Sequence, residues 1–303
     1  MLSPRSTLLV LCVLNSGCAV FGFLDAWTYP FYADSKTYFY IYMPSCPAAP
    51  YILTNQNASK IKSFPELDLS IPMKVLVPGY SSNLTNGEVL INKYLESKKY
   101  NVVMVHWTSG TDSWIPPLVQ INVKVAGRVL AEFLATLQSI AGLQMNKVSI
   151  ISHGHGCTVA GIAGNILGNL STIEALDPSW NLISGSVSVS SATYVQVIHT
   201  GSFYYGTYWR VGTADFYVNG GYLQPHCSFF NPLCNHEYAT FLFINSLYDS
   251  PYSGCKVGSN GDCGYIMGGD PLQVYSGVFE VCLDDGGKTS KSSSSIWNLY
   301  GLI

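Results

Sequence analysis

The sequence predicts an α/β protein with a mostly parallel central sheet and helices on both faces. From Met73 onward, short apolar runs alternate with helical segments, as in parallel sheets whose strands are joined by helical crossovers. Of the 303 residues, 48% are hydrophobic and 11% are charged, so the chain can bury a large core and is not intrinsically disordered. The net charge of −3 comes without a basic block, which argues against nucleic acid as a partner.

Strands and helices are predicted in regular alternation. Five apolar runs are expected to be strands, at residues 74–77, 101–105, 147–151, 172–176 and 194–198. A helix is expected at 88–97, and a longer one at 119–137, where apolar residues recur at steps of four and three and form one stripe. A third helix, rich in Ala and Gly, is expected after Gly156.

Residues 1–19 have the pattern of a secretory signal peptide. Arg5 supplies a basic start, residues 8–14 form a short apolar core, and small residues follow, with cleavage expected after Ala19 or as late as Gly22. The apolar run is too short for a comfortable membrane span, and no later segment is long enough. We therefore expect a secreted, extracellular protein without a transmembrane segment. A single domain is expected over 23–286, followed by a Ser-rich C-terminal tail at 287–303.

Seven cysteines lie outside this leader, and four of them form two close pairs. In a secreted protein, Cys227/Cys234 and Cys255/Cys263 are predicted to be disulfides. Zinc is the competing interpretation, but no CxxC or HExxH motif accompanies them, and no metal site is predicted. The odd count leaves a free thiol, for which Cys157 is the candidate. Three N-glycosylation sequons, which agree with a secretory route, begin at Asn57, Asn83 and Asn169.

A strand, a glycine-flanked turn and a helix at residues 147–160 make the frame of a nucleophile elbow, which usually has the sequence G-x-S-x-G. Here the turn is Ser-His-Gly-His-Gly at 152–156, so Gly154 occupies the position of the nucleophile. Downstream, Asp177 follows a strand and His236 follows a cysteine. The order of elbow, acid and histidine is that of α/β-hydrolases. Upstream, the turn at 77–80, which ends in Tyr80, is suited to presenting a backbone N–H to an oxyanion.

On these residues the chain resembles the secreted animal lipases related to pancreatic lipase, the sn-1 phospholipases and the dipteran yolk proteins. The similarity runs from about residue 36 to 282, with matching segments at 39–42, 101–107, 177–178, 197–200 and 234–236. It implies an α/β-hydrolase fold without a cofactor. It also implies that Gly154, Asp177 and His236 stand at the triad positions, and that Tyr80 and His155 stand at the oxyanion positions.

Several positions depart from the family pattern. Gly154 replaces the nucleophilic serine, Pro78 replaces the usual histidine of the oxyanion loop, and His106 stands where an aspartate often precedes tryptophan. Only six residues separate Cys227 from Cys234. The resemblance therefore implies that the lid framed by this pair is almost absent, as in the phospholipases and the yolk proteins.

Glycine cannot attack an ester, and loss of the nucleophile costs a serine hydrolase on the order of a millionfold in turnover. Ser152 is a poor substitute because it precedes the elbow by two residues and is expected to face strand–helix packing. His153 and His155 suggest a metal pair, but spacing reveals no third ligand.

The main hypothesis is an inactive lipase-family protein that binds lipid or another hydrophobic ligand, or that serves as a yolk-like or reproductive secretory protein. One alternative is an active carboxylic ester hydrolase, a lipase or phospholipase, with a non-standard nucleophile. A third possibility is a protein-interaction role without a ligand in the cleft.

Overall fold

Eleven strands form one mixed sheet in the computed structural model, which describes residues 37–79, 84–107, 116–180, 186–248, 252–259 and 261–284. The predicted leader, the predicted tail, Tyr80 and Asn83 lie outside the described residues. In chain order the strands are β1 (Tyr38–Met43), β2 (Cys46–Leu53), β3 (Met73–Val77), β4 (Asn101–His106), β5 (Val148–His153), β6 (Thr172–Leu176), β7 (Tyr194–His199), β8 (Ala214–Val218), β9 (Tyr252–Lys256), β10 (Cys263–Met267) and β11 (Gly277–Val281).

The middle of the sheet is parallel and its two borders are antiparallel. The spatial order is β10-β9-β11-β8-β7-β6-β5-β3-β4-β1-β2. All neighbours from β4 to β11 in that order pair in parallel. Strands β1 and β2 complete one border, and β9 and β10 complete the other, through antiparallel pairs. This arrangement confirms the predicted α/β-hydrolase fold with a mostly parallel sheet.

Among the described residues, four α-helices cover the two faces of the sheet. They are α1 (Leu84–Glu96), α2 (Pro116–Ala141), α3 (His155–Leu167) and α4 (Pro232–Ser246). Apolar residues of α2 and α3 share one buried cluster, and those of α1 and α4 share the other. Because side chains alternate along a strand, Val75 of β3 enters the first cluster and its neighbour Leu76 enters the second.

The five predicted strands are present, with bounds that differ from the expected ones by at most two residues. Helix α1 begins four residues earlier than predicted, at Leu84. Helix α2 begins at Pro116 and ends at Ala141, and proline is tolerated in a first turn because its missing N–H has no partner there. Strands β1, β2 and β8 to β11, and helix α4, were not assigned from the sequence.

The structure contains both predicted disulfides, Cys227–Cys234 and Cys255–Cys263. Cys157 is a free, buried thiol in α3, and two further described cysteines, Cys46 and Cys282, are also unpaired. Among the described residues, no helix has both the length and the apolar character that crossing a bilayer requires.

Candidate functional site

The elbow lies between the end of β5 and the start of α3, at the carboxyl edge of the parallel strands. Gly154 has φ of 54° and ψ of −122°, a conformation that glycine adopts without the steric cost of a side chain. Its N–H donates to the carbonyl of Leu176 at 3.0 Å. A Cβ atom on Gly156 would lie 2.4 Å from the carbonyl oxygen of Val77. This second glycine therefore lets helix α3 approach strand β3 closely.

Asp177 follows β6 directly and is completely buried. Its Oδ1 accepts hydrogen bonds from the backbone N–H groups of Thr200 and Gly201, each at 2.9 Å. A Cβ on Gly206 would lie 2.6 Å from both carboxyl oxygens, so only a glycine lets the backbone pass this close. The carboxylate is therefore held in one position by the backbone around it.

His236 is the fifth residue of α4. The Asn231 side chain caps this helix by accepting from the N–H of Cys234 at 3.2 Å, and the disulfide joins Cys234 to Cys227. The Nδ1 atom of His236 lies 2.6 Å from Oδ2 of Asp177. Since the carboxylate accepts the Nδ1 proton, Nε2 is the ring nitrogen left for a contact on the opposite side.

That Nε2 atom faces the backbone of Gly154. A Cβ built on Gly154 would lie 2.8 Å from Nε2 of His236, closer than carbon and nitrogen atoms approach in ordinary packing. The imidazole therefore fills part of the space that a serine side chain would need. The structure brings an acid, a base and an elbow together, and the elbow has no nucleophile.

His153 packs against His236 and contacts its backbone. Its Nε2 lies 3.1 Å from the backbone carbonyl oxygen of His236, and their rings are 4.3 Å apart. Burial is the main cause that lowers the pKa of His153 to about 3, and the charge of a protonated His236 lowers it further. The ring is therefore neutral at physiological pH and donates its Nε2 proton to that carbonyl.

His155 makes a contact that the sequence did not predict. Its Nδ1 lies 3.2 Å from Oγ of Ser179, a residue that was not a candidate from the sequence. Burial, with a smaller effect of His236, lowers the pKa of His155 to about 4. The one sequence signal for Ser179 is its place two residues after Asp177.

The other candidate residues are separate from this group. Ser152 is buried and donates to the carbonyl of Glu174 at 3.2 Å. Asn57 is half-buried and its Oδ1 accepts from the N–H of Thr54 at 2.7 Å, whereas Asn169 is exposed.

Among the described residues, the one group with metal-ligand spacing comprises His226, Cys227 and Cys234. Both of its sulfurs belong to a disulfide, and a metal binds thiolates. His153 and His155 do not form part of such a group within the described part of the chain.

A small cavity lies beside the elbow, between α1, α4 and the sheet. Its volume is about 40 Å³, and its wall includes Leu76, Leu90, Met104 and Ile151, with Thr240 as a polar contributor. A cavity of that size has room for a few water molecules.

Six exposed aromatic side chains lie in loops beside the site, and one of them, Tyr205, is near the ring of His236. We call them the aromatic rim, which consists of Trp180, Phe203, Tyr204, Tyr205, Phe229 and Phe230. The rings of Phe203, Tyr204 and Phe229 contact one another, and Phe230 lies against Phe229. Tyr205 lies 5.5 Å from the ring of His236, and its carbonyl accepts from the N–H of Trp180. The segments 201–209 and 226–235 contain no Asp, Glu, Lys or Arg.

Comparison with known proteins identifies the family to which the chain belongs. The sequence model of the Lipase family matches residues 31–257. The chain is 31% identical over 218 residues to "Probable phospholipase A1 magnifin" of Vespa magnifica, covering 64% of each chain. It is 28% identical over 228 residues to "Phospholipase A1" of Vespula vulgaris, covering 68% of this chain and 67% of that one.

A vertebrate relative is similar over a smaller part of its length. "Lipase member H" of Rattus norvegicus is 28% identical over 212 residues, which are 62% of this chain and 47% of the relative. The matched part of the chain thus spans from about half to two thirds of these relatives. The family match covers well over half of the chain and includes the elbow, Asp177 and His236. The chain belongs to the Lipase family.

Proposed function

We propose that this chain is a secreted lipase-family protein that binds lipid or another hydrophobic ligand and does not hydrolyse esters through the serine–histidine–aspartate route. Storage or reproductive secretion, as in the yolk proteins that the sequence resembles, is the setting that we propose for it. The observation that carries the proposal is Gly154, which has no side chain at the point that Nε2 of His236 faces.

The loss of hydrolysis follows from the chemistry of the triad. A serine hydrolase needs an oxygen nucleophile within hydrogen-bond reach of its base. Here the base and the acid remain paired at 2.6 Å, so the triad itself lacks only its nucleophile. Without it, the pair stabilises the local structure as a charge-assisted hydrogen bond.

The aromatic rim supports the binding of a hydrophobic ligand. Phe203 is 55% exposed, Phe229 is 53% exposed and Phe230 is 92% exposed, so these rings present apolar surface to water. A contiguous apolar patch on a protein surface marks a binding region more often than isolated exposed residues do. Aromatic rings supply large contact areas at a low entropic cost, and the absence of formal charge suits an uncharged or zwitterionic lipid.

Secretion is supported by the two disulfides, because such bonds persist in oxidising compartments. The signal-like pattern at residues 1–19 points to the same route.

The first experiment measures hydrolysis by the purified protein. p-Nitrophenyl butyrate and phosphatidylcholine are the substrates, and the wild-type protein is compared with His236→Ala. We expect no turnover above the buffer rate in either protein. Hydrolysis by the wild type that disappears in His236→Ala would refute the proposal, since the histidine would then be acting as a base.

The second experiment measures binding to phosphatidylcholine vesicles by co-sedimentation. The double variant Phe229→Ala/Phe230→Ala is compared with Phe241→Ala, which removes a phenylalanine of similar exposure (53%) outside the rim. Burying a phenylalanine contributes about 1.5–3 kcal/mol, so we expect the double variant to bind at least about tenfold more weakly. Equal binding by the wild type and both variants would count against the rim as the lipid-binding surface.

A further inference from the structure

A second hydroxyl–imidazole pair lies beside the empty nucleophile position. The Oγ atom of Ser179 lies 3.4 Å from the point where a Cβ of Gly154 would be, and 3.2 Å from Nδ1 of His155. Nε2 of His236 approaches the same point, at 2.8 Å. A hydroxyl from the loop that follows Asp177 therefore lies next to the position where the elbow lacks one.

Backbone hydrogen bonds fix this serine in place. The N–H of Ser179 donates to the carbonyl of Gly154 at 3.2 Å, which ties the loop to the elbow. On either side, the carbonyl of Pro178 accepts from the N–H of Thr207 at 2.7 Å, and the N–H of Trp180 donates to the carbonyl of Tyr205 at 3.1 Å. Ser179 itself is 5% exposed. Its position is thus set by the same backbone that surrounds Asp177.

We infer that Ser179 is a nucleophile toward carboxylic esters and that His155 is its base. The first turn of α3, which begins at His155, adds the positive end of a helix dipole at this position, and such an end stabilises developing negative charge. This inference goes beyond the proposed function, because the reaction uses neither Gly154 nor His236.

The reaction is a single acyl transfer. Oγ of Ser179 bonds to the acyl carbon, and the bond from that carbon to the alcohol oxygen breaks. The hydroxyl proton passes to Nδ1 of His155 and then to the departing alkoxide, which leaves as the alcohol. Burial lowers the pKa of His155 to about 4, so the ring is unprotonated at neutral pH and is a weak base. We therefore expect slow acylation that a reactive probe detects better than a turnover assay.

The test is labelling with a fluorophosphonate probe, in which the serine oxygen bonds to phosphorus and fluoride leaves. Mass spectrometry of peptides from the wild-type protein identifies the labelled residue, so this arm does not depend on the folding of a variant. We expect the label on Ser179 and its absence in Ser179→Ala. His155→Ala should slow labelling by about 10²–10⁴-fold, the usual contribution of a general base.

Ser152→Ala is the matched control, because it removes a buried hydroxyl of the neighbouring strand that donates to the carbonyl of Glu174. It should label like the wild type. Absence of label on Ser179, or a label on Ser152, would overturn the inference, and labelling that requires His236 would overturn the assignment of the base. Hydrolysis that depends on His236 would instead contradict the proposed function, so the two failures are distinguishable.

Discussion

Replacing Glu174 with glutamine should stabilise the protein at neutral pH. Glu174 lies on β6 and is 1% exposed, and neither of its carboxyl oxygens has a hydrogen-bond partner among the described residues. The nearby ammonium of Lys74 is paired with Asp270 at 3.1 Å. Burial therefore raises the pKa of Glu174 from 4.5 to about 8, although the charge of Lys74 lowers it and that of Asp270 raises it.

The size and the sign of the effect follow from proton linkage. Below pH 4.5 the carboxyl group is neutral in both the folded and the unfolded chain, so its ionisation makes no difference to stability. Between pH 4.5 and about 8 the unfolded chain loses this proton and the folded chain keeps it. Each pH unit in that window lowers the free energy of unfolding by about 1.4 kcal/mol. At pH 7 the accumulated loss is about 3 kcal/mol.

The assay is urea unfolding of the wild type and Glu174→Gln at pH 4.5 and pH 7. Glutamine does not ionise, so we expect a gain approaching about 3 kcal/mol at pH 7 and little difference at pH 4.5. Glu96→Gln, at an exposed position at the end of α1, is the control for a simple change of net charge. A gain of equal size at both pH values would refute the argument, since it would not arise from the proton on Glu174.

Three further predictions concern the site. Gly154→Ser should lower the free energy of unfolding by about 1–3 kcal/mol, from the positive φ and the contact with His236; thermal unfolding equal to wild type would contradict this. Gly206→Ala should lower the free energy of unfolding by about 1–3 kcal/mol, because its Cβ would overlap the carboxylate of Asp177. In proton NMR, it should also weaken the downfield signal expected from the His236–Asp177 hydrogen bond. The pKa of His153 is about 3 in the folded protein against 6.5 unfolded, so this residue alone should lower the free energy of unfolding below pH 6.5, by about 2 kcal/mol at pH 5. Between pH 6.5 and pH 5, urea unfolding should show His153→Gln gaining about that amount relative to the wild type; an unchanged difference would contradict this.

The central part of the fold could be predicted because its strands are buried on both faces. Such strands appear as short apolar runs, and β6 has the predicted bounds, Thr172–Leu176. The outer strands do not have this signature. Five of the eight residues of β2 are polar, small or proline, and the strand is mostly exposed. Its pairing with β1 comes from tertiary contacts that no local pattern reports.

The site was partly accessible from the sequence. Asp177 and His236 could be selected because their order along the chain matches α/β-hydrolases, and the structure places them together. The contact between Ser179 and His155 could not be predicted from the sequence, because the two residues are 24 apart in the chain. They meet only because of the backbone conformation after β5 and after β6. Neither residue type is informative alone at these positions, and their proximity depends on how the backbone turns after β5 and β6.

The two borders of the sheet differ in how they resist association with other chains. An open edge strand offers unpaired N–H and C=O groups to any neighbouring strand. At one border, β2 includes Pro47 and Pro50, which have no N–H to offer and thus disfavour cross-molecule pairing. At the other, the disulfide Cys255–Cys263 links β9 to β10. A reducing buffer therefore removes the covalent link at the second border only, and we expect aggregation under those conditions to begin there.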